Sequence, residues 1–353
     1  MNKIQSSSSI VMFGNESYKN LIQYIEENNI SKLFILVDNN TLTNCLPVFK
    51  SKFKSDILFE VIQISSGEIF KNIETSSKVW NELLLYGADR KSLLINLGGG
   101  MVSDLGGFVA STYKRGIRFI NIPTTLLSMV DASVGGKTGI DFGSLKNVIG
   151  VFSYPEMVLI DDEYLKTLPK REWKCGLAEV IKYGFISDIK LWNEIIDYKT
   201  LDNSNINKLI HSSVSIKNEI VKADFHEKNL RKVLNFGHTI GHAFESYFLE
   251  RKNNLNHGEA IAIGMVVELF ISHKMYHFPI KMVDELKEFV HHFYGKINAD
   301  KNQINDIISL LSHDKKNELG KVMFVLLEKP EYPIIDCEVS YELIIEGINY
   351  YLN

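Results

Sequence analysis

Three histidines in the C-terminal half have the spacing of a metal site. His238 and His242 lie four residues apart, so they would share one face of a helix, and His257 follows fifteen residues later. Neutral imidazole nitrogens suit zinc and similar divalent ions, and a carboxylate commonly completes such a ligand set. The stretch from Asn235 to Glu259 therefore predicts a metal centre. Ordinary hydrogen-bonded histidines are the alternative interpretation.

The carboxylate has to come from another segment, and Gly176 to Tyr183 offers one. Glu179 and Lys182 lie on one face of a predicted helix among apolar residues. They could pair with each other, or they could serve as an acid and a base at a site. Cys175 lies one turn from Glu179 and could be a soft metal ligand or a small core residue.

A glycine-rich turn in the N-terminal half has the pattern of a dinucleotide site. Gly98, Gly100 and Ser103 nearly complete Gly-x-Gly-x-x-Gly between an apolar strand and a helix. Glycines there let backbone amides approach a pyrophosphate, although a tight turn without a ligand would use glycines too. Asp38 ends an earlier predicted strand, where it could hold ribose hydroxyls or cap a helix.

Polar residues also follow two other predicted strands. The loop Ser66 to Glu68, with Lys71 close behind, could contact a cofactor or could be an ordinary surface loop. Thr124 and Thr125 come directly after a strand and could simply be helix N-caps. These residues become informative only together with the other motifs.

The segment from Asp131 to Gly139 is glycine-rich and contains Gly-Lys-Thr, similar to the end of a phosphate-binding loop. The full nucleotide-binding pattern requires a glycine five residues before the Gly-Lys pair, and that glycine is missing, so a nucleoside triphosphatase is excluded. Lys137, with Lys146 and Asn147 behind it, could still bind a phosphate. A surface loop with ordinary lysines is the alternative.

The elements that would position these residues change along the chain. In the first part, strand and helix signals alternate, which predicts a mostly parallel sheet. The strands are predicted at Lys32 to Val37, Ile57 to Ile64, Ser92 to Leu97 and Arg118 to Ile122. A helix is predicted at Asn72 to Tyr86, with Val79, Leu83 and Tyr86 on one side.

After about residue 160 the pattern is mainly helical. Helices are predicted at Lys174 to Ile186, Ile206 to Ala223, Thr239 to Tyr247, Glu259 to Met275 and Lys281 to Tyr294. A weak strand signal returns at Val322 to Leu327. We therefore expect an α/β domain over residues 1–158 and a mainly α-helical domain over residues 159–353, with the boundary near Ser153 to Pro155.

Composition limits the possible functions. The chain has 353 residues, 45% hydrophobic and 23% charged, and its net charge of −4 does not indicate nucleic acid or an anionic membrane as a partner. Cys45, Cys175 and Cys337 are far apart and odd in number, which favours a reducing compartment over a disulfide framework. The N-terminus lacks a signal-peptide core, and Ala260 to Ser272 is too short to span a bilayer. We expect a cytoplasmic protein.

Five motifs occur in one order, and together they closely resemble the 3-dehydroquinate synthase family. They are Gly98 to Asp104, Pro123 to Gly139, Gly176 to Gly184, Arg231 to His242 and His257 to Met265. The resemblance implies a Rossmann-like N-terminal domain, a helical C-terminal domain and an active site in the cleft between them. It implies NAD⁺ that is regenerated in each turnover, a divalent metal (zinc, with cobalt as the alternative) and a homodimer.

The reaction implied by the resemblance belongs to the shikimate pathway of aromatic amino acid biosynthesis. A phosphorus–oxygen lyase of this family converts 3-deoxy-D-arabino-heptulosonate 7-phosphate to 3-dehydroquinate and phosphate. Transient oxidation, phosphate elimination, reduction and an intramolecular aldol closure follow one another. No nucleic acid or membrane takes part.

The resemblance also implies a role for each matching residue. The metal ligands would be Glu179, His238 and His257, which moves His242 from the metal to the substrate. NAD⁺ would contact Asp38, Asn40, Glu68, Lys71, Gly99, Gly100, Asp104, Thr124, Thr125, Lys146, Thr167 and Glu172. The substrate would contact Asp131, Lys137, Asn147, Lys182, Lys217, Arg231, Asn235 and His242. Arg115 would reach across the dimer interface, and Lys315 or Lys316 would close the phosphate pocket.

Three residues depart from the family pattern, and all three are on the cofactor side. Ser103 and Leu145 stand in place of glycines, and Ser66 stands in place of an aspartate. They put NAD⁺ affinity in question without removing a catalytic group. The rival interpretations are a sugar-phosphate cyclase that makes deoxy-scyllo-inosose or epi-valiolone, a metal-dependent polyol or alcohol dehydrogenase, and a catalytically silent binding protein.

Overall fold

The computed structural model describes residues 3–6, 8–143, 145–196, 203–248, 254–311 and 322–353. Its internal contacts separate two compact units. The first contains Met1–Trp173 and Ile210–Lys222, and the second contains Lys174–Leu209 and Ala223–Asn353. The division expected after residue 158 stays a prediction.

The first unit is built on a seven-stranded sheet. Its strands are β1 (Lys3–Gln5), β2 (Ile10–Phe13), β3 (Leu33–Asp38), β4 (Phe59–Ile64), β5 (Leu93–Gly98), β6 (Arg118–Pro123) and β9 (Met157–Ile160), and β7 (Lys137–Phe142) and β8 (Leu145–Phe152) form a separate hairpin before β9. Their order is β1-β2-β9-β6-β5-β3-β4. All neighbours pair in parallel except β1 with β2. The predicted parallel α/β architecture is confirmed.

Helices connect these strands, as parallel pairing requires. They are α1 (Glu16–Glu27), α2 (Asn39–Asn44), α3 (Leu46–Lys52), α4 (Ile73–Leu85) and α5 (Gly100–Thr112). Val79 and Leu83 of α4 are fully buried in the core. Tyr86, predicted on the same side of the helix, is 40% exposed. The helix ends at Leu85, so Tyr86 is its C-cap.

The glycine-rich segment is not only a loop, because part of it forms an antiparallel hairpin of β7 (Lys137–Phe142) and β8 (Leu145–Phe152). Gly139 and Gly150 face each other across this hairpin. A Cβ on Gly150 would overlap the Thr138 carbonyl oxygen, so these glycines allow a close backbone approach between the strands. The sequence pattern did not predict this pair of strands.

The second unit is mainly helical, as predicted. Its helices are α6 (Lys170–Ile186), α7 (Ile189–Ile195), α8 (Asn203–Ala223), α9 (His238–Phe248), α10 (His257–Tyr276), α11 (Ile280–Phe293), α12 (Lys301–Leu311) and α13 (Tyr341–Leu352). Of these, α6 begins in the first unit, and α8 contributes residues to both units. The weak strand signal is the first half of a hairpin, β10 (Met323–Lys329) and β11 (Tyr332–Glu338). Among the described residues, no helix has both the length and the hydrophobicity to cross a membrane.

Candidate metal centre and active site

Close helix packing brings three predicted ligands together in the second unit. Gly258 lies so near α6 that a Cβ on it would overlap the Cys175 carbonyl oxygen. Gly264 of α10 lies as close to the Gly237 carbonyl oxygen, just before α9. These small residues let α6, α9 and α10 approach one another closely. Residues far apart in sequence therefore reach a common point.

That point is the carboxylate of Glu179, which is fully buried. One of its oxygens, Oε1, is 3.5 Å from His238 Nε2 and 3.5 Å from His257 Nε2. Lys182, one turn later on α6, forms an ion pair with the same carboxylate. Within the described part of the chain, neither carboxylate oxygen of Glu179 accepts a well-aligned hydrogen bond.

The spacing of these atoms fits a bound divalent cation. Metal–ligand distances of about 2.0–2.2 Å in a tetrahedral zinc site put neighbouring ligand atoms about 3.3 Å apart. The 3.5 Å separations around Glu179 are close to that value. A buried carboxylate also needs compensating positive charge, to which Lys182 contributes and a bound cation would add. The donor set of one carboxylate and two imidazoles is therefore suited to a metal.

The hydrogen bonds of the two imidazoles orient the same nitrogen towards Glu179. His238 Nδ1 is 3.0 Å from the Phe236 carbonyl oxygen, an acceptor that requires the proton on Nδ1. For His257, burial lowers the pKa of the imidazole, but the neighbouring carboxylates of Glu245 and Glu179 outweigh burial and raise it to about 9. A cation bound at Nε2 of His257 would replace the proton that this nitrogen carries when the imidazole is charged.

His242 belongs to a second, overlapping group. Its ring centre is 5.3 Å from that of His238 and 5.9 Å from that of His257. Ligand atoms of His242, Glu245 and His257 also lie within 4.8 Å of one another, as do those of Glu179, His238 and His257. His257 is common to both groups. Cys175, the possible soft ligand, instead accepts a hydrogen bond from the Gly258 N–H through its sulfur.

Two further predicted substrate residues lie in the 3₁₀ segment Leu230–Asn235 that leads into α9. Arg231 is 2% exposed and donates to the Phe225 carbonyl oxygen at 2.6 Å. Asn235 donates to Glu227 Oε1 at 3.1 Å. The second unit thus holds a cationic and an amide side chain on the segment that precedes the first histidine, His238.

In the first unit, predicted NAD⁺ residues follow neighbouring parallel strands. Asp38 ends β3 and accepts the Thr41 N–H at 2.8 Å, so it caps α2. Gly99 is the N-cap of α5 after β5, and Thr124 after β6 donates its N–H to the Gly98 carbonyl oxygen at 3.0 Å. The carboxyl ends of such strands are where α/β folds bind ligands.

Other predicted NAD⁺ residues lie nearby in the chain. A Cβ on Gly99 would be 3.0 Å from a side-chain carbon of Thr125. Ser103, which replaces a family glycine, is buried and donates its hydroxyl to the Gly100 carbonyl oxygen at 3.0 Å. Asn40 lies in α2.

The remaining predicted NAD⁺ residues also belong to the first unit. Gly100 opens α5. Lys146 lies in β8. Thr167 ends a 3₁₀ segment, and Glu172 is in the first turn of α6.

A buried lysine is surrounded by three acids at the same edge. Lys71 Nζ is 2.5 Å from Glu68, 3.5 Å from Asp104 and 3.9 Å from Asp141. Burial raises the pKa of Asp104 to about 7, although Lys71 opposes this shift. Asp141 was not singled out from the sequence. Its carboxylate accepts the Asn147 N–H at 2.6 Å, and Asn147 has a left-handed φ of 52°. An acid just before a hairpin turn is the only signal that could have found it.

Two predicted substrate residues of the first unit are already paired. Lys217 of α8 lies 2.9 Å from the Asp131 carboxylate and 2.6 Å from its carbonyl oxygen. Lys137 begins β7 and is exposed. Arg115 is exposed and has a φ of 72°, directly after Lys114 with a φ of 49°.

The lysines expected to close the phosphate pocket, Lys315 and Lys316, lie outside the described residues. Their role stays a prediction.

Comparison with known proteins decides the family. The family model of the 3-dehydroquinate synthase N-terminal part matches residues 61–175, and the model of the C-terminal part matches residues 176–317. The 3-dehydroquinate synthase of Parabacteroides distasonis is 40% identical over 333 residues, which is 94% of each chain. The chain belongs to the 3-dehydroquinate synthase family. As a 3-dehydroquinate synthase family enzyme it is a lyase of the shikimate pathway, as the sequence resemblance implied.

Solved structures share the fold of this 3-dehydroquinate synthase family member. A 2-deoxy-scyllo-inosose synthase, complexed with carbaglucose-6-phosphate, NAD⁺ and Co²⁺, has a TM-score of 0.84 with 23% identity over 99% of each chain. The 2-epi-5-epi-valiolone synthase of Streptomyces hygroscopicus, with NAD⁺ and Zn²⁺ bound, has a TM-score of 0.85 with 22% identity, over 99% of this chain and 98% of that one. At these identities the similarity concerns the fold.

Proposed function

We propose that the chain converts 3-deoxy-D-arabino-heptulosonate 7-phosphate to 3-dehydroquinate and phosphate with bound NAD⁺ and a divalent metal. Glu179, His238 and His257 would hold the metal. The observation that carries this proposal is the buried Glu179 carboxylate with an imidazole nitrogen 3.5 Å away on two sides. The Zn²⁺ and Co²⁺ in the related cyclases support a divalent ion without deciding which one.

The bound groups would supply two kinds of chemistry: the metal polarises substrate hydroxyl oxygens, and NAD⁺ takes up and returns a hydride. In the first unit, the glycine turn at Gly99 and Gly100 and the acids Asp38 and Asp104 would bind the dinucleotide. Its other contacts would be Asn40, Glu68, Lys71, Thr124, Thr125, Lys146, Thr167 and Glu172. A helix N-terminus with exposed amides favours a pyrophosphate at that position.

The substrate's two anionic groups need separate partners. Lys137, Asn147 and His242 would hold its phosphate, which stays basic enough to accept a proton from the carbon next to a new carbonyl. Arg231 and Lys217 would bind its carboxylate, a role that suits the planar guanidinium fork. Asp131, Lys182 and Asn235 would complete the substrate contacts. The presence together of Lys182, Arg231, Asn235 and His242 favours this substrate over those of the cyclases that act on sugars without a carboxylate.

The test is a turnover assay with the purified protein, the heptulosonate phosphate, a catalytic amount of NAD⁺ and zinc. We expect one phosphate released per substrate consumed, without net formation of NADH. Net accumulation of NADH would indicate a dehydrogenase instead. Glucose 6-phosphate, which lacks the carboxylate, is the control substrate, and faster phosphate release from it would favour the other cyclases.

We further propose a homodimer in which Arg115 of one protomer contributes to the active site of its partner. Two consecutive non-glycine residues with positive φ, Lys114 and Arg115, support this proposal. Such backbone strain costs about 1–3 kcal/mol per residue and is found preferentially at functional sites.

A further inference from the structure

Glu245 is a buried acid beside the proposed metal ligands. The proposed reaction assigns no role to it. It lies on α9 and is 5% exposed. Its Oε2 is 3.3 Å from Nδ1 of His257. The other ring nitrogen of His257, Nε2, is the one that lies 3.5 Å from Glu179. The imidazole of His257 therefore stands between two carboxylates.

We propose that Glu245 is a positioning residue that accepts the Nδ1–H of His257 and thereby directs Nε2 to a cation held with Glu179 and His238. A neutral imidazole carries one proton, so an acceptor at Nδ1 selects the tautomer whose Nε2 lone pair can bind a metal. A carboxylate in that place also makes the imidazole a stronger ligand. This inference rests on the metal site proposed above.

The helix geometry explains why one residue can do this. His238, His242 and Glu245 are spaced at i, i+4 and i+7, so they share one face of α9. The same face thus supplies one ligand and the acid that orients another ligand, His257, at the start of α10. The Nδ1 of His238 has a backbone acceptor instead, the Phe236 carbonyl oxygen. Of the two acceptors, only Glu245 is a side chain, so only Glu245 can be removed by mutation.

The competing arrangement puts the cation on His242, Glu245 and His257, whose ligand atoms are also close enough. His257 would then have to bind through Nδ1. The two carboxylates differ in their surroundings. Glu245 lies at hydrogen-bond distance from Nδ1, whereas Glu179 accepts no well-aligned hydrogen bond among the described residues. Glu179 Oε1 is also 3.5 Å from Nε2 of both His238 and His257, which is close to the ligand spacing of a tetrahedral site, so the first group fits the cation better.

The experiment measures Co²⁺ binding by chelator competition and by the visible ligand-field spectrum, with the full chain and without substrate. Relative to the wild type, we expect Glu245→Gln to weaken Co²⁺ binding about 10-fold and Glu245→Ala up to about 100-fold. Both variants should shift the spectrum, because His257 changes its orientation. The glutamine variant keeps the size of the side chain, so it remains informative if the alanine variant does not fold.

The matched control is Glu259→Gln. Glu259 accepts the Asn256 N–H at the start of the same helix, a bond that glutamine can also accept, so the variant removes one charge two residues from His257. We expect its Co²⁺ affinity to stay within about threefold of the wild type. Equal losses in Glu245→Gln and Glu259→Gln would mean a general charge effect and would overturn the inference.

Two other outcomes separate this inference from the proposed function. Co²⁺ binding that is lost in Glu179→Gln but is unchanged, in affinity and spectrum, in Glu245→Ala would overturn the positioning role alone. Co²⁺ binding that survives in Glu179→Gln but disappears in His242→Ala would place the ion in the second group. That result would overturn both the inference and the proposed ligand set.

Discussion

Glu179 is a fully buried carboxylate at the centre of the candidate metal site. A fully buried carboxylate is costly unless it is paired, and Lys182 is its one side-chain cation on α6. His238 and His257 approach it through Nε2, whereas His242, on the same face of α9 as His238, has a ligand atom within 4.8 Å of those of Glu245 and His257. Residues of one helix face can thus belong to different parts of a site.

The ligand assignment leads to a prediction for two variants. We expect Glu179→Gln to lower Co²⁺ affinity by about 100-fold or more, since the amide removes the charge that offsets the cation. His242→Ala should change Co²⁺ affinity less than about threefold and lower kcat/KM about 100-fold. Equilibrium dialysis and the turnover assay measure the two effects, and metal loss in His242→Ala would contradict the assignment.

The raised pKa of Asp104 has a consequence for stability. An acid whose folded pKa is about 7 keeps its proton in the folded protein after the unfolded chain has lost it, so stability decreases as pH rises from about 4 to about 7. Relative to Asp104→Asn, which does not titrate, the wild type should lose about 1–3 kcal/mol over that range. Urea unfolding at both pH values measures the difference.

The control for this pH dependence is Asp89→Asn, because its shift has the opposite sign. A hydrogen bond from the Ser31 hydroxyl lowers the pKa of Asp89, so its contribution is present at neutral pH and is lost as the pH falls through the lowered value. If the wild type and Asp104→Asn lose stability in parallel between pH 4 and 7, Asp104 does not titrate as inferred.

At the scale of elements, the site depends on how closely α9 and α10 pack. A Cβ on Gly264 would overlap the Gly237 carbonyl oxygen and would lie 2.8 Å from the Gly241 nitrogen. We expect Gly264→Ala to destabilise the protein by about 1–3 kcal/mol and to weaken Co²⁺ binding, because the helices must separate. Thermal unfolding and Co²⁺ titration measure the two effects.

The matched control is Gly347→Ala on α13, which also packs on α10. Its new Cβ would lie 3.0 Å from Val267 Cγ1 and 3.4 Å from the Val267 carbonyl oxygen, so its closest contact is a side chain and its backbone contact is an ordinary one. Alanine also stabilises a helix by about 0.5–1 kcal/mol relative to glycine. We expect a change of less than about 1 kcal/mol and no effect on Co²⁺ binding. A loss of metal as large as that in Gly264→Ala would show that backbone contact is not the cause.

The whole-molecule prediction concerns the proposed dimer. Arg115→Ala and Glu179→Gln should each be nearly inactive alone, because each lacks a residue of the site. When the two variants are unfolded together and refolded, mixed dimers contain one site with Glu179 from one chain and Arg115 from the other. We expect about a quarter of the wild-type activity, since half the dimers are mixed and each has one intact site. No recovery would mean that Arg115 acts within its own chain.

The local sequence pattern predicted part of the fold, but it did not predict features that depend on contacts between residues distant in sequence. The all-apolar run at β5 and the glycines after it predicted a buried strand and a turn, because both depend on neighbouring residues. The β7–β8 hairpin was not predicted, and the spacing did not indicate that Tyr86 would be exposed. Tyr86 fits the helical spacing of α4 but lies just past its end, and Gly139 and Gly150 look like loop residues until the opposite strand is known.

The sequence by itself determined the family, since five motifs in order resemble one family, and it determined the α/β class followed by helices. It also singled out His238, His242 and His257 as a metal cluster. Only the tertiary structure decided that Glu179 lies 3.5 Å from two of these imidazoles, and that Glu245 contacts one of them. The reason is physical, because helical spacing determines which residues share a face of one helix. The contacts between α6, α9 and α10 depend instead on close packing at glycines that are distant in sequence.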